Sequence, residues 1–427
     1  MTDVLPQAIE RTAAPKGLRI AFVTETFAPE INGVAMTAGH FVRGLRQRGH
    51  NVQLIRPKQR HAPSSNDDPN TVLVSGLPIP NYPGLQFGLP CASTLRRLWV
   101  AQRPDIVHVV TEGPLGWSAV RAAHKLNIPV TSGFHTNFHR YTAHYGLGWM
   151  QHIVNRYLRY LHSRTKCTMV PTRALALELD RLGYRNLCVV SRGVDTQLFN
   201  PSRRDPALRA QWGVNDHGLI VLYVGRLAAE KNIRTVLNAF AAIRAYRRDA
   251  RLVFVGDGPL SDRLKKQQPD AIFCGVQRAE GLAQHYASAD VFLFPSLSET
   301  FGNVTSEAMA SGLGIVAYHH AAAGELITHN VDGCVASPGD ERAFVGMAVT
   351  LASEAGLLSS IRPAARARAL SLDWDRVIYS FEHELFEAIQ QQAPQSIQHD
   401  ALAAAPCVAP PLAGFQRTLR SPWARRR

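Results

Sequence analysis

The 427-residue chain contains neither a G-x-G-x-x-G nor a G-x-x-x-x-G-K-(S/T) segment. The glycine cradles of dinucleotide redox enzymes and of P-loop phosphoryl transferases are therefore both missing. Cysteine is scarce, with six residues scattered along the chain and no C-x-x-C pair, so reduced thiols are expected. No run of about 18 apolar residues occurs, and residues 1–16 contain acids without an apolar stretch. Neither a transmembrane span nor a signal peptide is predicted, and the expected location is cytoplasmic. Acidic residues are themselves absent from one long segment. Between Glu112 and Glu178 no Asp or Glu occurs, while eight Lys or Arg and six His fall there, in a chain of net charge +14. No recognition module or aromatic interleaving accompanies that charge, so nucleic acid is not an expected partner.

What the chain does have is alternation. Apolar runs at 18–23, 219–224, 251–255, 271–276 and 291–294 read as buried parallel strands, and amphipathic stretches follow most of them. With 46% hydrophobic residues over this length, two ordinary cores can be buried. The pattern from 18 to about 352 predicts an α/β protein with two doubly wound parallel-sheet domains. The junction is placed near 191–201, where Gly, Asp, Asn and Pro cluster. The expected divisions are a flexible leader at 1–16, domains at 17–195 and 196–370, a last amphipathic helix at 371–391, and a disordered basic tail at 392–427. Asp373-Trp-Asp375 opens that last helix, and reads as a cap with a first-turn acid rather than a metal motif.

The most informative stretch is 294–312. It leaves a strand at Phe294, carries Glu299 and Glu307 eight positions apart, and opens a helix at Asn303. The amides of Phe301, Gly302 and Asn303 lie at a helix start, where the dipole favours an anion. Taken alone, Glu307 reads equally as a helix-stabilising acid and Glu299 as a solvated loop residue. A second block runs from the strand 219–224 into Gly225-Arg226 and on to Lys231-Asn232, whose two cations suit a diphosphate, though surface cations at a strand end are commonly just solvated. Glu299-x7-Glu307 with Phe301-Gly302 inside it resembles the E-x7-E signature of family 4 retaining nucleotide-sugar glycosyltransferases. These have the GT-B fold, in which two Rossmann-like domains face each other across a cleft. Arg226 and Lys231 match the G-R-x-x-x-E-K-(G/N) element of that family, with Asn232 where many members have Gly.

The resemblance extends along the chain. Residues 251–259 resemble its V-G-x-G-P element, 29–34 its P-x-x-x-G-V segment, 132–136 its S-x-H-T element and 192–199 its linker. It implies that Arg226, Lys231, Gly33, Phe301, Gly302 and Asn303 hold the donor diphosphate, that Val276 lies beside the base, that Glu307 grips the ribose, and that Glu299 and His135 face the transferred sugar. His139 is the weaker alternative to His135. The domain 17–195 would hold the acceptor, and the last helix would cross back onto it.

The resemblance further implies transfer of a hexose, mannose favoured, from a GDP- or UDP-sugar to a lipid or glycan acceptor, with no metal and no cofactor. Alternatives are a UDP-sugar-dependent glucosyl or glucuronosyl diacylglycerol synthase and a non-catalytic nucleotide-sugar-binding protein. A helix predicted at 147–164 places Met150, Ile153, Val154, Tyr157 and Leu161 on one stripe, with His152, Arg156, Arg159 and His162 opposite. Arg156 and Arg159 are expected either on a solvated face or against an anionic membrane, which would make the protein peripheral on the inner face of the plasma membrane.

Overall fold

The computed structural model describes residues 17–30, 32–59, 68–78, 86–135, 148–215 and 217–392. The leader at 1–16, the tail beyond 392, His139 and the side chain of Met150 lie outside what is described.

Two parallel sheets form, as the alternation predicts. The first orders its seven strands Thr71–Val74, Asn51–Pro57, Arg19–Val23, Ile106–Val109, Val130–Gly133, Cys167–Val170 and Leu187–Val189. The second orders six: Ile272–Phe273, Arg251–Val255, Ile220–Val224, Val291–Phe294, Gly314–Tyr318 and Cys334–Ala336. Every residue of Ile220–Val224 and Val291–Phe294 is buried, as strands covered on both faces require. In each sheet the strand order reverses beside the first strand, between Arg19–Val23 and Ile106–Val109 and between Ile220–Val224 and Val291–Phe294. Crevices of doubly wound sheets open at such points, outside the carboxyl ends of the strands.

The helix Trp374–Gln390 follows the second sheet yet packs on the first. Phe381 stacks on Phe41 with ring centroids 4.3 Å apart and meets His108 edge-on at 4.8 Å. Backbones approach closely there, since a Cβ at Gly44 would stand 2.0 Å from Ile378 Cδ1. Glu382 joins the same seam, bridging Arg48 at 2.9 Å and His50 at 2.6 Å. Asp373 caps this helix by accepting the Asp375 amide at 3.0 Å, which is the structural job expected of that pair.

Two expectations are corrected. The strand read at 271–276 covers only Ile272–Phe273, because Gly275 turns the chain with φ +65°. Cys167 and Cys188 form a disulfide instead of remaining reduced. They are 21 residues apart in sequence but lie on adjacent parallel strands, a proximity that spacing alone does not reveal.

Candidate donor site and its opposing wall

The strand Ile220–Val224 runs into Gly225, and its neighbour Arg251–Val255 runs into Gly256. A Cβ at Gly256 would fall 2.0 Å from the Gly225 carbonyl oxygen, and φ there is +132°. The two turns therefore touch backbone to backbone, which only glycine permits. A 3-10 turn, Ala229–Lys231, then leads into the helix Ile233–Tyr246 through Asn232 at φ +52°. Asn tolerates that left-handed geometry, and its Nδ2 donates to the Pro295 carbonyl at 2.9 Å. The Gly-to-Asn departure thus keeps the turn and ties the two donor loops together.

Lys231 Nζ donates to Glu299 Oε1 at 2.5 Å and to Ser298 Oγ at 3.3 Å, and Ser296 Oγ donates to the same carboxylate at 2.9 Å. Burial alone would raise the Glu299 pKa. The Lys231 charge and these hydrogen bonds outweigh it and hold the carboxyl below its usual range. Glu299 is accordingly no solvated loop residue. Arg226 lies 3.8 Å from buried Glu230, so each cation of this block has an acid of the same domain beside it.

The helix Asn303–Ala310 starts on Gly302, whose φ of +87° turns the loop sharply into it. Phe301 is buried beneath the turn. Glu307, in the helix's second turn, is 6% exposed and accepts the Tyr286 hydroxyl at 3.0 Å. Burial pushes its pKa up to about 7, so it is a buried polar group and not a surface acid. Asn303 Oδ1 is buried without a hydrogen-bond partner among the described residues.

The first sheet supplies the facing wall. The helix Gly33–Gln47 is capped by Asn32, which accepts the Ala35 amide at 2.8 Å. A Cβ on Gly33 would lie 3.9 Å from Asn303 Nδ2, so two helix starts, one from each sheet, meet across the cleft. Both present amide dipoles to the same space. His135 leaves the strand Val130–Gly133, and its carbonyl accepts the Thr300 hydroxyl at 2.7 Å. That bond places it one residue from Glu299. Burial, then Arg192, His108 and His162, hold its imidazole well below the ordinary pKa.

Three groups at this wall are absent from the sequence reading. Arg192, in the segment read only as a linker, donates from NH2 to His135 Nδ1 at 2.9 Å and from NH1 to Thr37 Oγ1 at 2.8 Å. Glu25 follows the first strand and accepts the Leu115 amide at 2.9 Å. Burial, reinforced by neighbouring Glu112, pushes it up to about 7. Glu112 is buried beside His162 at 3.6 Å, and its carbonyl accepts the Tyr157 hydroxyl at 2.6 Å. The available signal was position, since Glu25 and Glu112 both sit just beyond strand ends at the reversal point.

Val276 is 51% exposed and follows Ile272–Phe273, the edge strand of the second sheet. On the helix Gly148–His162 the predicted stripe is rotated. Leu158, Leu161 and His162 are buried, whereas Ile153 and Tyr160 are 60% and 48% exposed beside exposed Arg156 and Arg159. His162 is drawn inward because Ser132 Oγ lies 2.9 Å from its Nδ1. The outward face is therefore mixed, basic and apolar.

Residues 31–198 match the family model described as Glycosyltransferase Family 4, and residues 218–354 match that of glycosyl transferases group 1. The GDP-mannose-dependent alpha-mannosyltransferase of Mycobacterium tuberculosis is 34% identical over 328 residues, covering 76% of this chain and 85% of that protein. The alpha-monoglucosyldiacylglycerol synthase of Streptococcus pneumoniae is 27% identical over 335 residues, covering 74% and 75%. In fold, the chain superposes on sucrose-phosphate synthase of Thermosynechococcus elongatus with a TM-score of 0.72 at 18% identity, over 88% of this chain and 100% of that one. Two facing doubly wound sheets, the filled signature positions and these relatives converge: the chain belongs to glycosyltransferase family 4, as a nucleotide-sugar-dependent hexosyltransferase of the GT-B fold.

Proposed function

We propose that the chain transfers mannose from GDP-mannose, with retention at the anomeric carbon, to a lipid or glycan acceptor carried on an anionic membrane surface. The observation that carries the reading is the joint commitment of the two signature glutamates: Glu299 to Lys231 and Ser296, Glu307 to Tyr286. In this reading both serve as hydrogen-bonding groups for donor hydroxyls, and neither acts as a covalent nucleophile. The bond from the anomeric carbon to the β-phosphate oxygen then breaks while the acceptor oxygen attacks the same face, and its proton passes to the departing phosphate. Arg226, Lys231 and the two helix starts at Gly33 and Asn303 stabilise the charge that develops on the leaving diphosphate. That work needs no metal ion. Similarity to mannosyltransferases supports mannose.

The membrane acceptor is supported by the exposed Ile153, Arg156, Arg159 and Tyr160 face. No single helix among the described residues is long and apolar enough to cross a membrane. Incubation of the purified chain with GDP-mannose, UDP-glucose or UDP-glucuronate, each with a membrane lipid extract and with or without EDTA, tests the proposal. An α-mannosyl product from GDP-mannose that persists in EDTA is expected. Product from a UDP-sugar alone favours the diacylglycerol synthase reading, and a strict Mg²⁺ or Mn²⁺ requirement removes the cation account of the leaving group.

A further inference from the structure

We propose that Arg192 is a positioning residue that holds His135 as a neutral imidazole with its proton on Nε2, and that it does so from the junction between the two sheets. This rests on the reading above for what His135 faces, but not for the hydrogen bond itself. A guanidinium has five N–H donors and no acceptor. With Arg192 NH2 2.9 Å from His135 Nδ1, that nitrogen must be the acceptor, and the ring's single proton is on Nε2. A doubly protonated ring would set two donors against each other at the same distance.

The rest of the guanidinium is fixed as firmly. NH1 donates to Thr37 Oγ1 at 2.8 Å and to the Gly33 carbonyl at 3.4 Å, and the group lies over the Phe301 ring, 5.8 Å from its centroid. One side chain of the junction therefore touches the helix that opens at Gly33, His135 beyond the strand Val130–Gly133, and the aromatic under the donor helix of the other sheet. Arg192 is 4% exposed and makes no ion pair among the described residues. Burial lowers its pKa to about 10 against the pull of Glu299, so it remains charged at neutral pH.

The chemical reason for a buried cation there follows from the charge that transfer creates. As the glycosidic bond breaks, positive charge gathers on the sugar ring and its anomeric carbon, and an imidazolium beside it would oppose the reaction. A neutral ring that donates from Nε2 orients a sugar hydroxyl without adding charge. Groups facing His135 from the packed elements act in one direction: Arg192 from the junction, His108 from the strand Ile106–Val109 and His162 from the helix Gly148–His162 all disfavour its protonation. His108 and His162 turn their Nδ1 atoms to Thr131 and Ser132 and do not bond His135. Arg192 alone among them dictates the tautomer.

The test has two arms on the full chain. Long-range ¹H–¹⁵N spectra of ¹⁵N-histidine-labelled protein, with His135→Ala supplying the assignment, report the tautomer without any substrate. The wild type is expected to show His135 as the Nε2–H form, unchanged from pH 6 to 8. A predominant Nδ1–H form or an imidazolium would overturn the proposal. In the second arm, Arg192→Met is expected to lose about tenfold or more in kcat with donor KM changed less than about threefold, and to lose activity earlier on the acid side. Arg192→Lys, which keeps charge and one donor, should recover part of kcat and the wild-type acid limb. A folded Arg192→Met with a wild-type pH profile and a wild-type His135 spectrum would also overturn it. Loss of transferase activity by the wild type itself, with the tautomer as expected, would instead remove the functional reading and leave the assignment of Arg192 standing.

Discussion

The carboxyl ends of the two sheets are built on opposite electrostatic plans. In the second sheet each cation has an acid beside it: Lys231 holds Glu299, and Arg226 lies near Glu230. In the first, apart from Glu112 beside His162 at 3.6 Å, the described buried groups are set mainly by burial. Arg192 binds a neutral imidazole, Glu25 is pushed up to about 7, and Glu112 lies beside it. A site that must receive a dianionic diphosphate and a polyol benefits from rigid, pre-paired groups whose geometry does not change on binding. The opposite wall instead offers groups whose charge state is tuned by burial, which suits orienting neutral hydroxyls beside a developing cation.

The largest effect that probes this contrast is expected at Lys231. Lys231→Ala removes a cation for the leaving phosphate and strands the Glu299 carboxylate, so transition-state stabilisation should fall by about 2–4 kcal/mol in kcat/KM. Because the two side chains act as a pair, adding Glu299→Gln to Lys231→Ala should cost less than the single effects combined. Strict additivity in that double-mutant cycle would dissolve the paired description of the donor side. Arg226→Ala should lose activity less steeply, its side chain being 34% exposed.

Next in size is the division between the glutamates. On the proposed assignment of Glu307 to the donor ribose, Glu307→Gln keeps shape but replaces an accepting carboxyl oxygen with an amide, so donor KM should rise by about tenfold with kcat little changed. Glu299→Gln should act chiefly on kcat. Steady-state kinetics with the two effects exchanged would reverse the roles assigned here.

The same residues set a pH dependence of stability. Glu25 and Glu307 have folded values near 7 against an ordinary 4.5, so the folded state binds extra protons between those limits. Their contribution is fully present below about 4.5 and is lost as pH rises through 7, on the order of 1–3 kcal/mol each. The ligand-free protein should therefore melt at higher temperature at pH 5.5 than at pH 8, and Glu307→Gln should flatten that difference by raising Tm at pH 8. Calorimetric scans showing a Tm that climbs between pH 5.5 and 8 in both proteins would rule the account out.

How far the sequence could be read follows the same contrast. The second sheet's site is made from two contiguous loops, 225–232 and 296–307, so spacing exposes nearly all of it, and the parallel strands announce themselves as apolar runs. The first sheet's wall gathers Glu25, Glu112, His135 and Arg192 from four separate segments. Their partnership depends on strand order, which no local pattern encodes. Arg192 in particular is indistinguishable from a solvated linker arginine until Thr37 and His135 are seen to close on it. The helix expected at 147–164 forms at Gly148–His162, but its apolar stripe is rotated for a related reason. Periodicity gives the width of a stripe, but Ser132 and the surrounding threonines decide that His162 turns inward.

That rotation shapes the last and smallest prediction, which concerns the outward face of the first domain. With Ile153 and Tyr160 exposed beside Arg156 and Arg159, the helix presents both terms of interfacial binding, apolar burial and attraction to anionic headgroups. Each arginine near such a surface adds about 1 kcal/mol, and the attraction is screened as salt rises. Arg156→Glu with Arg159→Glu should abolish cosedimentation with phosphatidylglycerol-rich vesicles and transfer to a membrane-borne acceptor, while donor affinity stays as in the wild type. Ile153→Ser should weaken vesicle binding by a smaller amount that high salt does not mimic, because its contribution is desolvation rather than charge. Vesicle binding indifferent to salt and to all three substitutions would leave this face as ordinary solvated surface. The contrast between the two sheets would then lie wholly within the cleft.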